Sequence, residues 1–306
     1  MQTILGANGT MARELSRALA GHHGKIRQVS RHPQRVHPGD ETFAADLREA
    51  KATDEAVAGS EVVYLVVGLP YQAKIWEEQW PRLMRNVIEA CQRHTARLVF
   101  LDNVYAYGRV DGSMTEESPF NPISRKGEVR ARIATMLLDE MRAGNVSALI
   151  ARSADFYGPD AFQSLPHSTV FQRLRAGRKP LWIGNPEVIH TFTFTPDAGR
   201  ALAHLGQTPE AFGQTWHLPT SREPLTGAGF VRLACTLANQ PERWQTVAPW
   251  LRKLIGLFIP ILRENEEMMY QFEADYRFSS EKIEAAYGLT PTPYREGIAQ
   301  CLQAAT

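Results

Sequence analysis

Three cysteines in 306 residues, Cys91, Cys235 and Cys301, are too few and too far apart for a disulfide framework or a cysteine-rich metal ribbon. Buried, unreactive thiols are the expectation, and no metal site is expected. An excess of either charge is also missing: 34 Lys and Arg stand against 33 Asp and Glu, a formal net charge of +1. Nucleic acid and anionic membranes draw on a basic excess, so neither is expected as a principal partner, and a charged ligand must be held by a local site. The longest apolar run, Leu254 to Leu262, is broken by Gly256 and Pro260 and is far short of the roughly 20 residues that span a bilayer. No basic region precedes an apolar stretch at the start. Met1-Gln2-Thr3-Ile4-Leu5-Gly6 reads as a first β-strand rather than a secretory leader, so a cytoplasmic location is expected. Internal repeats, low-complexity tracts and long flexible linkers are absent as well.

What is present is a chain with 43% hydrophobic residues, enough to bury a large core. Short β-branched runs alternate with helical patterns through the first half, the signature of a parallel sheet wrapped by helices. Strands are predicted at Gln2 to Leu5, Ile26 to Val29, Thr42 to Ala44, Val62 to Val67, Leu98 to Leu101 and Ser147 to Ala151. Helices are predicted near Met11 to Ala20, Thr53 to Ala58, Gln72 to His94 and Ser124 to Arg142. The runs near Val62 and Leu98 are almost wholly apolar, as strands buried on both faces should be. The expected fold is therefore α/β, a Rossmann-type doubly wound parallel sheet with a smaller C-terminal substrate region. Residues 1–159 are expected to form the dinucleotide-binding domain, rejoined by about 188–220, and 160–306 mainly the substrate region. The stripe Trp250, Leu251, Leu254 and Phe258 falls at helical spacing and reads as core, as a lid, or as an interaction surface.

The turn Gly6-Ala7-Asn8-Gly9-Thr10-Met11-Ala12 follows the first strand and opens a helix, the context in which glycine spacing carries meaning. Gly6 permits the tight turn, Gly9 lets backbone N–H groups approach a pyrophosphate, and Ala12 keeps the helix close to the sheet. Ser30 and Arg31 follow the second strand, where an NAD-preferring site would carry a carboxylate. Arg31 would pair with a 2′-phosphate, helped by the Ser30 hydroxyl, so NADP(H) is expected over NAD(H); a solvated loop arginine is the alternative. Asp46 reads either as an acceptor for the adenine amino group or as a helix N-cap.

With these features the chain resembles the extended short-chain dehydrogenase/reductase superfamily, the group that includes NAD-dependent epimerases and dehydratases. The resemblance runs through the Gly6 turn, Asp46-Leu47, Val67-Gly68, Tyr107-Gly108, Glu117-Ser118-Pro119, Lys126, Tyr157-Gly158-Pro159 and Phe192 to Asp197. It implies cofactor contacts from Gly6, Asn8, Gly9, Thr10, Met11, Asp46, Leu47, Val67, Gly68 and Lys126. It places a serine where Asn103 stands and a tyrosine, the general acid/base, where Pro122 stands. Lys126 can still hold ribose hydroxyls and Asn103 can still donate an amide N–H to a carbonyl, but Pro122 has no proton to give. A replacement must come from Tyr71, Tyr105, Tyr107, Tyr157 or water, with Tyr157 taken together with Lys126 and Asn103 as the catalytic set.

Two further departures bear on substrate. The family's Asn is Asp155 here, and the Arg that grips a diphosphate is His190. A carboxylate repels a diphosphate and a histidine grips one less well than a guanidinium. A small carbonyl or hydroxyl compound, not a nucleotide sugar, is therefore expected, near Tyr71, Asp155 and His190, with Trp76, Phe156 and Phe192 as apolar lining. The expected function is an NADP(H)-dependent oxidoreductase or epimerase-like enzyme, and the alternative is a catalytically silent NADP(H) sensor. The resemblance also implies a homodimer through the long helices at Gln72 to His94 and Ser124 to Arg142.

Overall fold

The structure, a computed structural model, describes residues 1–21, 24–247 and 260–304; the stripe from Trp250 to Phe258 lies outside the described residues. Seven parallel strands form one sheet: β1 (Gln2–Leu5), β2 (Ile26–Ser30), β3 (Glu41–Ala44), β4 (Val62–Leu65), β5 (Arg97–Asp102), β7 (Ala148–Arg152) and β11 (Thr215–His217). Their spatial order is β11-β7-β5-β4-β1-β2-β3, so the chain starts in the middle, winds one way to β3, and returns past β1 to build the other half. This is a doubly wound Rossmann-type sheet. β4 is buried at every position and β7 likewise, which explains their near-continuous apolar sequences.

Helices α2 (Ala50–Val57), α3 (Ala73–Arg93) and α4 (Arg125–Arg142) pack side by side as one row. Helix α1 (Thr10–Leu19) meets α6 (Thr195–Gln207) at Gly199, where a Cβ would come within 2.8 Å of Glu14. α3 continues through Pro81, which is buried, and its outward positions carry Lys74, Glu77, Glu78, Arg82 and Arg85.

The chain divides into two interleaved units. The first comprises Met1–Ala106, Arg125–Ser153 and Ala198–Leu218 and contains the whole seven-stranded sheet. The second comprises Tyr107–Ser124, Ala154–Asp197 and Pro219–Thr306. Its strands are short parallel pairs: β6 (Ser113–Met114) with β13 (Arg277–Phe278), β8 (Asp155–Tyr157) with β10 (Phe192–Phe194), and β9 (Leu181–Ile183) with β12 (Gln245–Val247). They surround an aromatic core that includes Tyr157, Phe171, Trp182, Phe192, Phe230 and Tyr294. Against this core pack α5 (Gln172–Arg175), the 227–237 helix α7, whose N-cap Thr226 accepts from Gly229 N–H at 3.0 Å, and the terminal helix Tyr294–Gln303. All three cysteines are buried and unpaired with one another, and burial pushes the Cys91 thiol up to about 12. Among the described residues no helix is long and apolar enough to cross a membrane.

Candidate active site

In the first unit the sheet reverses direction between β1 and β4, and the carboxyl ends of these strands open the crevice where ligands of such sheets bind. The β1–α1 turn lies there. Gly6 has φ 110°, and a Cβ on it would stand 2.9 Å from the Val67 backbone, so the turn is pressed against the end of β4. Gly9 has an ordinary extended backbone, and a Cβ there would meet only the Gly6 carbonyl, at 3.3 Å. α1 then begins with no side-chain cap and no acidic residue in its first turn. The amino end of such a helix carries partial positive charge that favours an anion, and Met11 itself is buried as packing. These features fit a dinucleotide pyrophosphate. Gly68 is exposed with open space around it, and Val67 is half-buried beside it.

Asn8, at φ 77°, faces the loop after β2. Its Nδ2 donates to His32 O at 2.7 Å and its Oδ1 accepts from Gln34 N–H at 3.0 Å. The side chain thus braces that loop. The loop is fixed a second time by buried Asp40, whose Oδ2 accepts from Val36 and His37 N–H and from Gln28 Nε2. Neither brace was visible in the sequence, because both join residues separated by a loop with no periodic pattern.

Asp46 is held by Arg48 through its side chain and backbone N–H. That pairing, with a smaller contribution from the charge of Arg31, lowers its carboxyl to about 2. Leu47 is buried, and its carbonyl accepts from Thr53 Oγ1 at 3.0 Å and Asn86 Nδ2 at 2.9 Å. Ser30 Oγ is buried without a hydrogen-bond partner among the described residues, while Arg31 is exposed.

Asn103 follows β5, and its Oδ1 accepts from Tyr105 N–H at 3.0 Å, which leaves the amide nitrogen as a donor. Lys126, in the first turn of α4, is fully buried, with Nζ 4.6 Å from the centroid of the Tyr71 ring. Tyr71 Oη donates to Tyr105 Oη at 3.2 Å. Asn103, Lys126, Tyr71 and Tyr105 therefore belong to one network. Beneath it lies a group that sequence reasoning missed: buried Asp102 accepts from Arg130 Nε at 2.7 Å and from Arg152 Nε at 3.2 Å.

The remaining expected residues fall in the second unit. Tyr157 is 1% exposed among Phe192, Phe194, Phe230 and Tyr294, and its hydroxyl has no partner among the described residues. Burial pushes its phenol well above the ordinary tyrosine range. That environment withdraws Tyr157 from the catalytic set, because a proton cannot be traded with a substrate from inside an aromatic core. His190 is also closed off, stacked between Phe272 and Tyr276 at 4.2 and 4.5 Å. Its Nδ1 faces Gln271 O at 3.1 Å and its Nε2 faces Asp155 Oδ2 at 3.0 Å. Of this pair only Asp155 retains a partly exposed side chain.

A parallel sheet of this winding with a glycine turn at its switch point defines the class of Rossmann-type dinucleotide-binding proteins. Residues 3–218 match the NAD dependent epimerase/dehydratase family, and the chain belongs to that family. A curated relative, an uncharacterized UDP-glucose epimerase of Bacillus subtilis, is 22% identical over 167 residues, 51% of this chain and 52% of its own; the chain thus spans about half the length of the curated relative it matches. Solved structures share the fold more completely. The dTDP-glucose 4,6-dehydratase of Streptomyces venezuelae, with NAD and TYD bound, superposes with a TM-score of 0.80 at 16% identity, covering 99% of this chain and 96% of that one. The UDP-glucose 4-epimerase of Thermus thermophilus in complex with NAD gives 0.79 at 15% identity, covering 99% and 98%.

These comparisons overturn two expectations. The similar structures are described with NAD, not NADP, and with nucleotide sugars, not small free carbonyl compounds. The preference for NADP(H) fails physically because Ser30 turns its hydroxyl inward and Arg31 shares its surroundings with a carboxylate that is ionised above about pH 2. The substrate expectation leaned on His190 as a weakened phosphate grip, but a histidine this enclosed is a packing element and reports nothing about phosphate.

Proposed function

We propose that this chain binds NAD on the Gly6 to Ala12 turn and uses it for hydride chemistry on a nucleoside-diphosphate sugar, as an epimerase or dehydratase. The observation that carries this reading is the turn itself. Gly6 is required by the protein's own packing, whereas at Gly9 the backbone is ordinary and a Cβ would meet only the Gly6 carbonyl, at 3.3 Å, so the close approach of a ligand gives the second glycine its main reason. The sugar-nucleotide class is supported by the substrates named for the similar structures. Asn103, just past the carboxyl end of β5, and Lys126, in the first turn of α4, would hold ribose and substrate hydroxyls. When bound, the nicotinamide supplies a two-electron acceptor and donor of hydride. Pro122 cannot exchange the accompanying proton, so the residues around Lys126 must do so.

Calorimetric titration with NAD and NADP, followed by product analysis with UDP-glucose and dTDP-glucose, tests the reading. NAD binding at least as tight as that of NADP, with conversion of one of these sugars, is expected; failure to bind NAD would sink it. A homodimer through α3 and α4 also belongs to this reading, and the charged outward positions of both helices would make it salt-sensitive.

A further inference from the structure

Hydride chemistry on a carbinol needs a group that takes a proton from the oxygen and later returns one. Four tyrosines were candidates. Tyr157 and Tyr107 are both fully buried, Tyr157 in the aromatic core and Tyr107 against Phe120. Tyr71 and Tyr105 differ from them in every respect that matters. Both are half-buried, and both lie in segments leaving the carboxyl edge of the sheet, after β4 and β5. Their hydroxyls are hydrogen-bonded to one another, with Tyr71 as the donor.

The surrounding packing holds the pair in place. The Tyr105 ring lies nearly parallel to Trp76, at 16° and 6.3 Å, and Tyr71 meets the same indole edge-on at 5.5 Å. Trp76 is buried and anchored by donation from Nε1 to Pro70 O at 3.0 Å. Asn103 fixes the Tyr105 backbone, and the Lys126 ammonium lies over the Tyr71 ring. A charge developing on Tyr105 Oη would therefore receive a hydroxyl donor from Tyr71 and the field of a buried lysine behind it.

We propose that Tyr105 is the acid/base of this site, with Tyr71 and Lys126 stabilising its oxyanion. The proposal rests on the function stated above. In the oxidative direction Tyr105, as its phenolate, would take the proton of the substrate hydroxyl and become the neutral phenol, while the C–H pair would leave as hydride to the oxidised nicotinamide dinucleotide and C–O would become C=O. In the reductive direction hydride returns to carbon while Tyr105 returns the proton to oxygen. Tyr71 keeps its own proton throughout and shifts its donation to follow the charge.

The first test needs no cofactor. In the full chain labelled at tyrosine Cζ, an alkaline NMR titration should show two resonances that move together. Tyr105→Phe should remove one and leave its partner titrating alone, and Lys126→Met should move the first ionisation of the pair upward by about 1 unit. Independent titration of the two tyrosines, insensitive to Lys126, overturns the proposal. The second test is turnover of NAD with the sugar nucleotide. Tyr105→Phe should lower kcat by about 10²- to 10⁴-fold with NAD affinity unchanged, and Tyr71→Phe by less. Full turnover in Tyr105→Phe overturns the proposal. A wild type that binds no NAD would instead sink the functional reading, and the titration would then decide the phenol pair by itself.

Discussion

Gly6 and Gly9 sit three residues apart in one turn, yet they are glycine for different reasons. Gly6→Ala places a Cβ against the Val67 backbone at a φ that side chains rarely adopt, and should cost stability by about 1–3 kcal/mol or more in urea unfolding. Gly9→Val brings a Cβ within 3.3 Å of the Gly6 carbonyl at an ordinary φ, so it should cost less stability than Gly6→Ala while it abolishes NAD binding; a folded variant that still binds NAD would refute the cradle. Arg31→Ala should leave NAD affinity unaltered by calorimetry. Asp46 carries a pH prediction. Its folded carboxyl lies at about 2, below the ordinary value of about 4, so its contribution is complete above about pH 4 and is lost as pH falls toward 2. Thermal unfolding across that window should decline less steeply in Asp46→Asn than in the wild type. Tyr157→Phe removes a buried hydroxyl that has no hydrogen-bond partner among the described residues, so it should stabilise the fold, by on the order of 1 kcal/mol. Sequence alone could not separate Tyr157 from Tyr105, since both precede or accompany a Tyr-Gly motif at a strand end, and burial is what distinguishes them.

At the scale of the elements, β1, β2, β4 and β5 were legible because each is a compact apolar run bounded by turn residues, and α1, α3 and α4 because of their periodicity, whereas the eight-residue α2 was read only from Thr53 onward. The strands of the second unit were not. β6 and β13 have two residues each, and β8, β9, β10 and β12 three, too short for alternation to be read. The tie between β5, β7 and α4 was hidden for another reason: Asp102 meets Arg130 and Arg152 across 28 and 50 residues of sequence. The Arg130 guanidinium also lies 4.6 Å from the Trp80 ring, so the ion group is enclosed by the apolar layer that it joins. Asp102→Ala would leave two buried cations without their shared carboxylate and should cost about 3–5 kcal/mol in urea unfolding. A loss within the range of an exposed salt bridge would show that water reaches this group.

At the scale of the whole molecule, the turn proposed to cradle the cofactor, Gly6 to Ala12, lies entirely in the unit that holds the seven-stranded sheet. NAD at a hundredfold excess over its Kd should stabilise that unit by about 2.7 kcal/mol, seen in scanning calorimetry as a rise in Tm that Gly9→Val lacks. The interleaving of the units has a further consequence, for vectorial synthesis. The edge strand β11, Thr215–His217, pairs with β7, but residues 154–197 of the other unit are made between them. A ribosome releasing the chain in order must therefore present the sheet one strand short while it exposes the aromatic side chains of β8 and β10, whose partners Phe230 and Tyr294 have yet to emerge. Nascent chains arrested after residue 160 should be degraded readily by protease, chains arrested well past 218 should protect the first unit, and in that interval the growing polypeptide should depend most on chaperones.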